Sequence, residues 1–265
     1  MTAGRRLDVE LASRGLVASR EQARAAILSG RVTVGGSVVS KVGANVAPDA
    51  VIVVAEGAPF VSRGGVKLAG ALDLFGIDPV GARALDVGAS TGGFTDCLLQ
   101  RGAASVTAVD VGYGQLAWSL RNDGRVRVLE RTNIRTADAA LLGGPYDLAV
   151  IDVSFVGLAK VLPSVLPLMG ESASIIALVK PQFEAGKGRV GKKGVVRDAA
   201  VHCEVLVAIV SAVESHGWVV RRLGWSPITG PEGNIEFWIW AARTGERGSD
   251  EPAAVVAAAH AALGG

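Results

Sequence analysis

Leu85-Asp-Val-Gly-Ala-Ser-Thr-Gly-Gly-Phe94 decides how the rest of the chain is read. Ala84 to Val87 is an apolar run of strand length, and it enters a loop that carries three glycines, Gly88, Gly92 and Gly93. Phe94 to Gln100 then spaces its apolar residues as a helix does. Glycines at such a turn let the backbone approach a ligand closely, and the helix that follows offers unpaired N–H groups to it. A second strand, Ser105 to Val109, ends in Asp110. A carboxylate there can accept both hydrogen bonds of a ribose diol, so strand, loop and acid together predict a nucleoside site in an α/β fold.

The dinucleotide-binding fingerprint wants glycine where Ser90 stands, because a pyrophosphate packs onto that backbone. A side chain at that place, with Asp86 inside the strand end, suits a nucleoside without phosphate. The pattern resembles the first motif of S-adenosylmethionine-dependent methyltransferases. That resemblance implies S-adenosylmethionine as cofactor, with Asp86, Gly88, Ala89, Ser90, Thr91, Gly92, Gly93 and Phe94 around its methionine end and Asp110 on its ribose. Gly112, Tyr113 and Gly114 either wall an adenine pocket or form a turn. Asn133 to Thr136 lies just past the next strand, Val126 to Leu129, where adenine-edge contacts arise in such folds.

The 265 residues suit one large domain with a smaller one, and an apolar content of 49% is ample for a core. Residues 1–60 hold seven Lys/Arg against five acids, so the whole net charge of +2 sits at the N-terminus. That fits a module facing a polyanion. Cys97 and Cys203 are too isolated for a disulfide framework or a zinc site, and no metal is expected. No signal peptide precedes Leu7 and no uncharged apolar run reaches membrane-spanning length, which predicts a cytoplasmic protein without a membrane partner.

Residues 1–56 read as a small α+β unit. Leu7, Val9, Leu11 and Leu16 mark a helix ending at Gly15, and Ser19 caps a second one from Arg20 to Leu28. Arg31 to Val39, with Gly35-Gly36 at its centre, is a β-hairpin, and Val51 to Val54 is a further strand. The order, with Arg-Leu-Asp near the start and Ser-Arg-Glu-Gln-Ala opening helix two, resembles the RNA-binding S4 domain first described in a small-subunit ribosomal protein. The resemblance implies that Arg5, Arg6, Arg20, Arg24 and Lys41 face folded RNA.

Residues 57–62 form a linker, interrupted by Gly57 and Pro59. Val61-Ser-Arg-Gly-Gly65 leads into an apolar-periodic helix, Val66 to Phe75, with Lys67 in its first turn. A cation beside the positive end of a helix is mildly unfavourable, which points to a task beyond solubility. Tyr146 to Phe155 reads as a fourth strand with Asp152 at its tip, and Ala173 to Val179 as a fifth, ending in Lys180. The loop from Gly186 to Arg197 carries Lys187, Arg189, Lys192 and Lys193. Its spacing is wrong for a P-loop, so it reads as a basic loop over an RNA face. Asp198 caps a helix to about Ser215, Trp218 to Trp225 is a sixth strand, and Ile235 to Ala241 a seventh. Glu236 lies inside that last strand, where alternation could turn it outward. His202, His216 and His260 read as structural.

Strands alternating with helices predict a Rossmann-like, seven-stranded, mostly parallel sheet over residues 63–265, preceded by the small α+β domain. Lys67, Asp152, Lys180 and Glu236 come from four separate segments, and the set resembles the Lys-Asp-Lys-Glu tetrad of FtsJ-type ribose 2′-O-methyltransferases. The carrying motifs are Val61-Ser-Arg-Gly-Gly65 with Lys67, Asp86 to Phe94, Asp152-Val-Ser-Phe155, Leu178 to Glu184 and Gly233-Asn-Ile-Glu236. With the N-terminal module, the chain resembles throughout its length the TlyA family of ribosomal RNA methyltransferases, some of them described as haemolysins. The resemblance implies transfer of a methyl group to a cytidine ribose 2′-hydroxyl in 23S and also 16S rRNA within ribosomal subunits, by a monomer. Lys180 would lie beside the 2′-oxygen, as ammonium or as neutral base. Asp152 and Glu236 would orient it, Lys67 would brace the network, and Arg63 would add an RNA contact. The competing readings are a membrane-lytic protein, an RNA-binding assembly factor without methyl transfer, and a nicotinamide dehydrogenase, which Ser90 disfavours.

Overall fold

The computed structural model describes residues 4–28, 30–55, 57, 59–186 and 188–263. The N-terminal part runs β1 (Arg5–Arg6), α1 (Leu7–Ser13), α2 (Arg20–Leu28), β2 (Val32–Val34), β3 (Ser37–Val38), β4 (Asn45–Val46) and β5 (Ile52–Val54). Leu7, Leu11, Ala23, Ile27, Val32, Val46 and Ile52 close a small core of their own. The β1–β4 pairing, Arg5 against Val46, has no signal in the sequence because two-residue strands carry no periodicity. The first helix ends at Ser13 rather than Gly15, and it buries Asp8 and Glu10. Their burial is balanced by arginines: Arg6 Nε and Arg20 Nη2 donate to the two Asp8 oxygens at 2.9 and 2.8 Å, and Arg14 Nε donates to Glu10 at 2.8 Å. These neighbours, Arg6 foremost, hold the Asp8 carboxyl down at about 2.

The larger part begins with α3 (Arg63–Phe75), whose C-terminus is closed by Gly76 in the left-handed conformation, φ 65°. It continues through β6 (Arg83–Val87), α4 (Gly93–Gln100), β7 (Ser105–Val109), α5 (Trp118–Arg121), β8 (Val126–Leu129), α6 (Ala139–Leu142) and β9 (Tyr146–Ile151). Then follow α7 (Leu162–Val165), β10 (Met169–Val179), α8 (Pro181–Glu184), α9 (Ala199–Glu214), β11 (Val219–Trp225), β12 (Phe237–Ala242) and α10 (Pro252–Leu263). Asp198 caps α9 as its side chain accepts from the Ala200 N–H.

Seven strands form one sheet in the order β11-β12-β10-β9-β6-β7-β8, parallel except for β12, which runs against both its neighbours. Helices cover both faces, which is why the central strands are apolar without alternation. In β10, Ile175, Ala177 and Val179 enter the core beneath α9, while Ile176 and Leu178 enter the opposite core, shared with α3 and α4. In that second core Phe94 packs on Trp238 with ring centroids 5.7 Å apart. Truncating Phe94 to alanine would cost about 3–5 kcal/mol.

Three strands have bounds other than the sequence expectation, the fifth beginning already at Met169. The fourth stops at Ile151, because the chain turns away at its tip and Phe155 adopts φ 66°, a left-handed value no strand residue takes. The seventh begins at Phe237, so Glu236 precedes it rather than lying inside it. Chain order reverses between β6 and β9, and ligands of open α/β sheets bind at the crevice such a reversal creates.

Candidate active site at the strand tips

The loop after β6 and the exit of β9 meet directly. Asp152 N–H donates to Val87 O at 2.9 Å, and a Cβ on Gly88 would lie 2.5 Å from Asp152 O. With φ 87°, Gly88 is both conformationally and sterically confined to glycine. Gly92 is a glycine for another reason. A Cβ there would strike Leu120 at 2.3 Å, which adds to the demand of its φ of 96°, and it is not in the lining of either cavity described next.

A cavity of about 220 Å3 opens above this junction, lined by Ser62, Arg63, Gly64 and Lys67 of the α3 start, by Gly88 to Thr91, Gly93 and Phe94, and by Asp152 and Gly230. A second, of about 90 Å3, shares Gly88 and continues past Asp110 to Asn133, Ile134 and Arg135. Together they form a trough along the C-terminal edge of the parallel strands. Its shape and donors fit an amino-acid end at the glycine loop and a nucleoside end beside Asp110. Asp110 is preorganised: its oxygens accept from Ser90 N–H at 2.8 Å and Gly112 N–H at 2.6 Å, with lone pairs left for a diol.

Three residues expected around the cofactor stand apart from the trough. Besides Gly92, Asp86 is fully buried beneath the loop, where one oxygen accepts from Thr95 Oγ1 at 2.6 Å and the other meets no donor. Burial raises its carboxyl to about 7. Tyr113 is exposed and carries the Arg131 guanidinium 4.0 Å above its ring, outside both cavities, while Gly112 lines a small hollow with Ser90 and Asp110.

Lys67, Asp152, Lys180 and Glu236 converge through strand register. Val179 pairs with Phe237 across β10 and β12, which sets Lys180 opposite Glu236 just beyond the ladder. The four make two ion pairs. Lys67 Nζ meets Glu236 Oε2 at 2.5 Å, both side chains nearly or wholly buried, and Lys180 Nζ meets Asp152 Oδ1 and donates to Ser154 Oγ at 3.0 Å. The outward turn that strand alternation allowed for Glu236 is therefore corrected, since it is 0% exposed and its direct partner is Lys67 rather than Lys180. Its second oxygen has no hydrogen-bond partner and faces Gly230, where a Cβ would come within 2.2 Å.

Gly230, Ser62, Ser154 and Phe155 were not among the expected site residues, although the last three lie within the motifs that carry the resemblance. Phe155 is 91% exposed and stands beside Phe183 at 5.0 Å, whose ring centroid lies 6.0 Å from Lys180 Nζ. The signal for Phe155 was a large apolar residue three positions after a strand-tip acid. Gly230 was detectable only as a glycine inside the turn-rich stretch before Glu236.

Of the expected RNA contacts, Arg5, Arg6, Arg20, Arg24 and Lys41 are all exposed on the N-terminal module. Arg63 lies in the trough instead, where Nη2 donates to Thr229 O at 2.6 Å. Arg189 is paired with Glu204 on α9, and Lys193 is exposed at φ 62°. Lys187 lies outside the described residues, as does the side chain of Lys192. A larger cavity, of about 420 Å3, lies between Ser40-Lys41 and Val195 to Arg197, with Ile235 and His260 in its wall, and holds none of the tetrad. The histidines are structural in a specific way: buried His202 Nδ1 lies 2.9 Å from His260 Nε2, tying α9 to α10. No helix among the described residues is long and apolar enough to cross a membrane.

The FtsJ-like methyltransferase family model matches residues 60–243, and the S4 domain model matches residues 5–52. The 16S/23S rRNA (cytidine-2′-O)-methyltransferase TlyA of Mycobacterium tuberculosis is 48% identical over 237 residues, 89% of this chain and 88% of that protein. Hemolysin A of Brachyspira hyodysenteriae is 38% identical over 233 residues, 88% of this chain and 97% of that one. A solved structure from Streptococcus thermophilus, described provisionally as a hemolysin, superposes with a TM-score of 0.75 at 39% identity, covering 100% of this chain and 98% of its own.

Proposed function

The chain belongs to the TlyA family of FtsJ-like methyltransferases with an N-terminal S4 domain, and from that premise we propose that it methylates the ribose 2′-hydroxyl of cytidine in 23S and also 16S rRNA within ribosomal subunits. It acts in the cytoplasm as a monomer and takes the methyl group from S-adenosylmethionine. The observation that carries the reading is the convergence of Lys67, Asp152, Lys180 and Glu236 in two ion pairs at the strand tips, with Lys67 and Asp152 in the wall of a trough that fits a nucleoside with an amino-acid tail.

Bound S-adenosylmethionine supplies a methyl group already activated on a sulfonium, so the protein's task is alignment and management of one proton. Lys180 would lie beside the attacking 2′-oxygen, either as a neutral amine that accepts the 2′-hydroxyl proton or as an ammonium that faces the developing charge while that proton passes to solvent. Asp152 and Ser154 fix the direction of its ammonium, and the strand tip fixes its backbone. The Lys67–Glu236 pair is a buried brace that holds the α3 start against the β12 entry. Asp110 holds the ribose of the cofactor, and the loop from Gly88 to Phe94 holds its methionine end. Phe155 offers a face on which a base drawn out of the RNA can stack; such stacking contributes about 1–3 kcal/mol per base. Correct alignment and general-base assistance, the latter alone about 10²–10⁴-fold, suffice without a protein nucleophile. The exposed arginines of the N-terminal module position the RNA through phosphate contacts.

The test is methylation of unmodified 30S and 50S subunits with labelled cofactor, followed by mapping of the product. A 2′-O-methylcytidine in either rRNA supports the proposal. A base-methylated product, or none with active cofactor binding, refutes it. Liposome leakage by the purified protein would favour the membrane-lytic reading that the hemolysin names suggest.

A further inference from the structure

Glu236 belongs to the tetrad, and Asn234, two residues earlier in the same motif, is buried as well. Its side-chain amide is engaged at both ends. Oδ1 accepts from the Val196 N–H at 3.1 Å, and Nδ2 donates to Gly194 O at 3.0 Å. Both partners lie at the end of the basic loop, far from Asn234 in sequence. Val196 is itself buried, and His202 Nε2 holds its carbonyl from the other side at 3.1 Å. A carbonyl only accepts, so His202 carries its proton on Nε2 and accepts from His260 at Nδ1. The end of the basic loop is thus gripped between two buried side chains, one from α9 and one from the entry to β12.

That grip bears on the tetrad. Ser226 N–H donates to Glu236 O at 2.9 Å and Gly230 N–H to Asn234 O at 2.8 Å, so residues 226–236 close into a loop, with Arg63 tied to it at Thr229 O. Within the loop Glu232 and Gly233 both have positive φ, 58° and 89°. Glu232 pays a cost for that conformation, which persists only where the surroundings impose it. Glu236 Oε1 lies against Gly230, where a Cβ would come within 2.2 Å, while Oε2 pairs with Lys67. A shift of the loop therefore moves the carboxylate that braces Lys67. The amide suits the task because it accepts at one atom and donates at the other; an aspartate cannot donate to Gly194 O, and a serine is too short to reach both partners. We propose that Asn234 is a positioning residue for methyl transfer. By clamping the 226–236 loop to the end of the basic loop it fixes Glu236, and through Glu236 it fixes Lys67. The role rests on the methyl-transfer function proposed above.

Asn234→Ser and Asn234→Asp test it in the full chain. The assay is single-turnover methylation of unmodified subunits at saturating subunit and S-adenosylmethionine, with calorimetry of S-adenosylhomocysteine counting the binding-competent sites. The rate per competent site should fall at least ~10-fold in each variant, because misplacement by about 1 Å can cost about 10²-fold, while affinity for S-adenosylhomocysteine and for ribosomal RNA stays within about twofold. In a Glu236→Gln background the same substitutions should change the rate by less than about twofold, since the residue through which they act is already altered. Should a buried carboxylate keep Asn234→Asp from folding, Asn234→Ser gives the same readings. An unchanged rate per competent site would mean that Asn234 only stabilises the fold, and would overturn the assignment. A loss that adds in full to that of Glu236→Gln would overturn it too. So would a loss confined to RNA affinity, which would make Asn234 an anchor of the basic loop alone. Wild-type protein that methylates neither subunit would overturn the function on which the assignment rests, a result distinct from the others because it needs no variant.

Discussion

The two lysines of the tetrad should separate cleanly when each is replaced by alanine. Lys67 and Glu236 form a pair whose side chains are 9% and 0% exposed, so Lys67→Ala strands a carboxylate in the core. Breaking such a pair from one side costs about 3–5 kcal/mol. For a domain of about 200 residues that lowers the melting temperature on the order of 10 °C. Lys180 and Asp152 are 11% and 21% exposed at the rim of the cavity, where water can reach the carboxylate left behind. Lys180→Ala should therefore cost on the order of 1 kcal/mol and bind S-adenosylmethionine within a few-fold of wild type. Its methyl transfer should fall at least ~10²-fold, equivalent to about 2.7 kcal/mol of transition-state stabilisation. Lys180→Arg should not restore it, since a planar guanidinium neither fits the space of an ammonium nor gives up a proton. Thermal melts, calorimetry and single-turnover methylation of unmodified subunits measure the three quantities. Near-normal turnover by Lys180→Ala would refute the mechanism. Equal destabilisation by the two substitutions would refute the assignment of brace and reacting group.

Asp110→Ala should weaken cofactor binding at least ~10-fold in calorimetry, because a ribose diol loses its charged partner and the Ser90 and Gly112 N–H groups lose theirs; unchanged affinity would remove Asp110 from the site. Replacing Arg5, Arg24 and Lys41 with alanine should lower RNA affinity and flatten its dependence on log salt by about 2–3, with cofactor affinity untouched. Arg6 and Arg20 are poor choices for that experiment, since removing both leaves buried Asp8 unpaired and should show as lost stability instead. Asp86, raised to about 7 by burial, makes a contribution to stability that is complete below the ordinary carboxylate range and is lost as pH rises toward 7. Asp86→Asn should accordingly gain stability relative to wild type between pH 4 and 7 in denaturant titrations, and parallel pH profiles for the two proteins would contradict the buried-acid account.

Much of the architecture is legible in the chain because it is written in local pattern. The glycine loop between strand and helix, the apolar runs of the central strands and the Asp198 cap each follow from backbone sterics and burial acting over a few residues. The same local rules name Asp152 and Lys180 as strand-tip charges, and family resemblance adds Lys67 and Glu236. Partnership is another matter. That Glu236 is wholly buried and bonded to Lys67, that Gly92 lies against Leu120, and that Arg63 donates to Thr229 O all depend on segments far apart in sequence. Strand register and helix packing bring those segments together, and no periodicity encodes them. The sequence by itself determines which residues carry charge at the ends of which elements. Only the tertiary structure decides which charges neutralise one another and which are shut away from water, because that outcome is set by distance and solvent exclusion rather than by residue type.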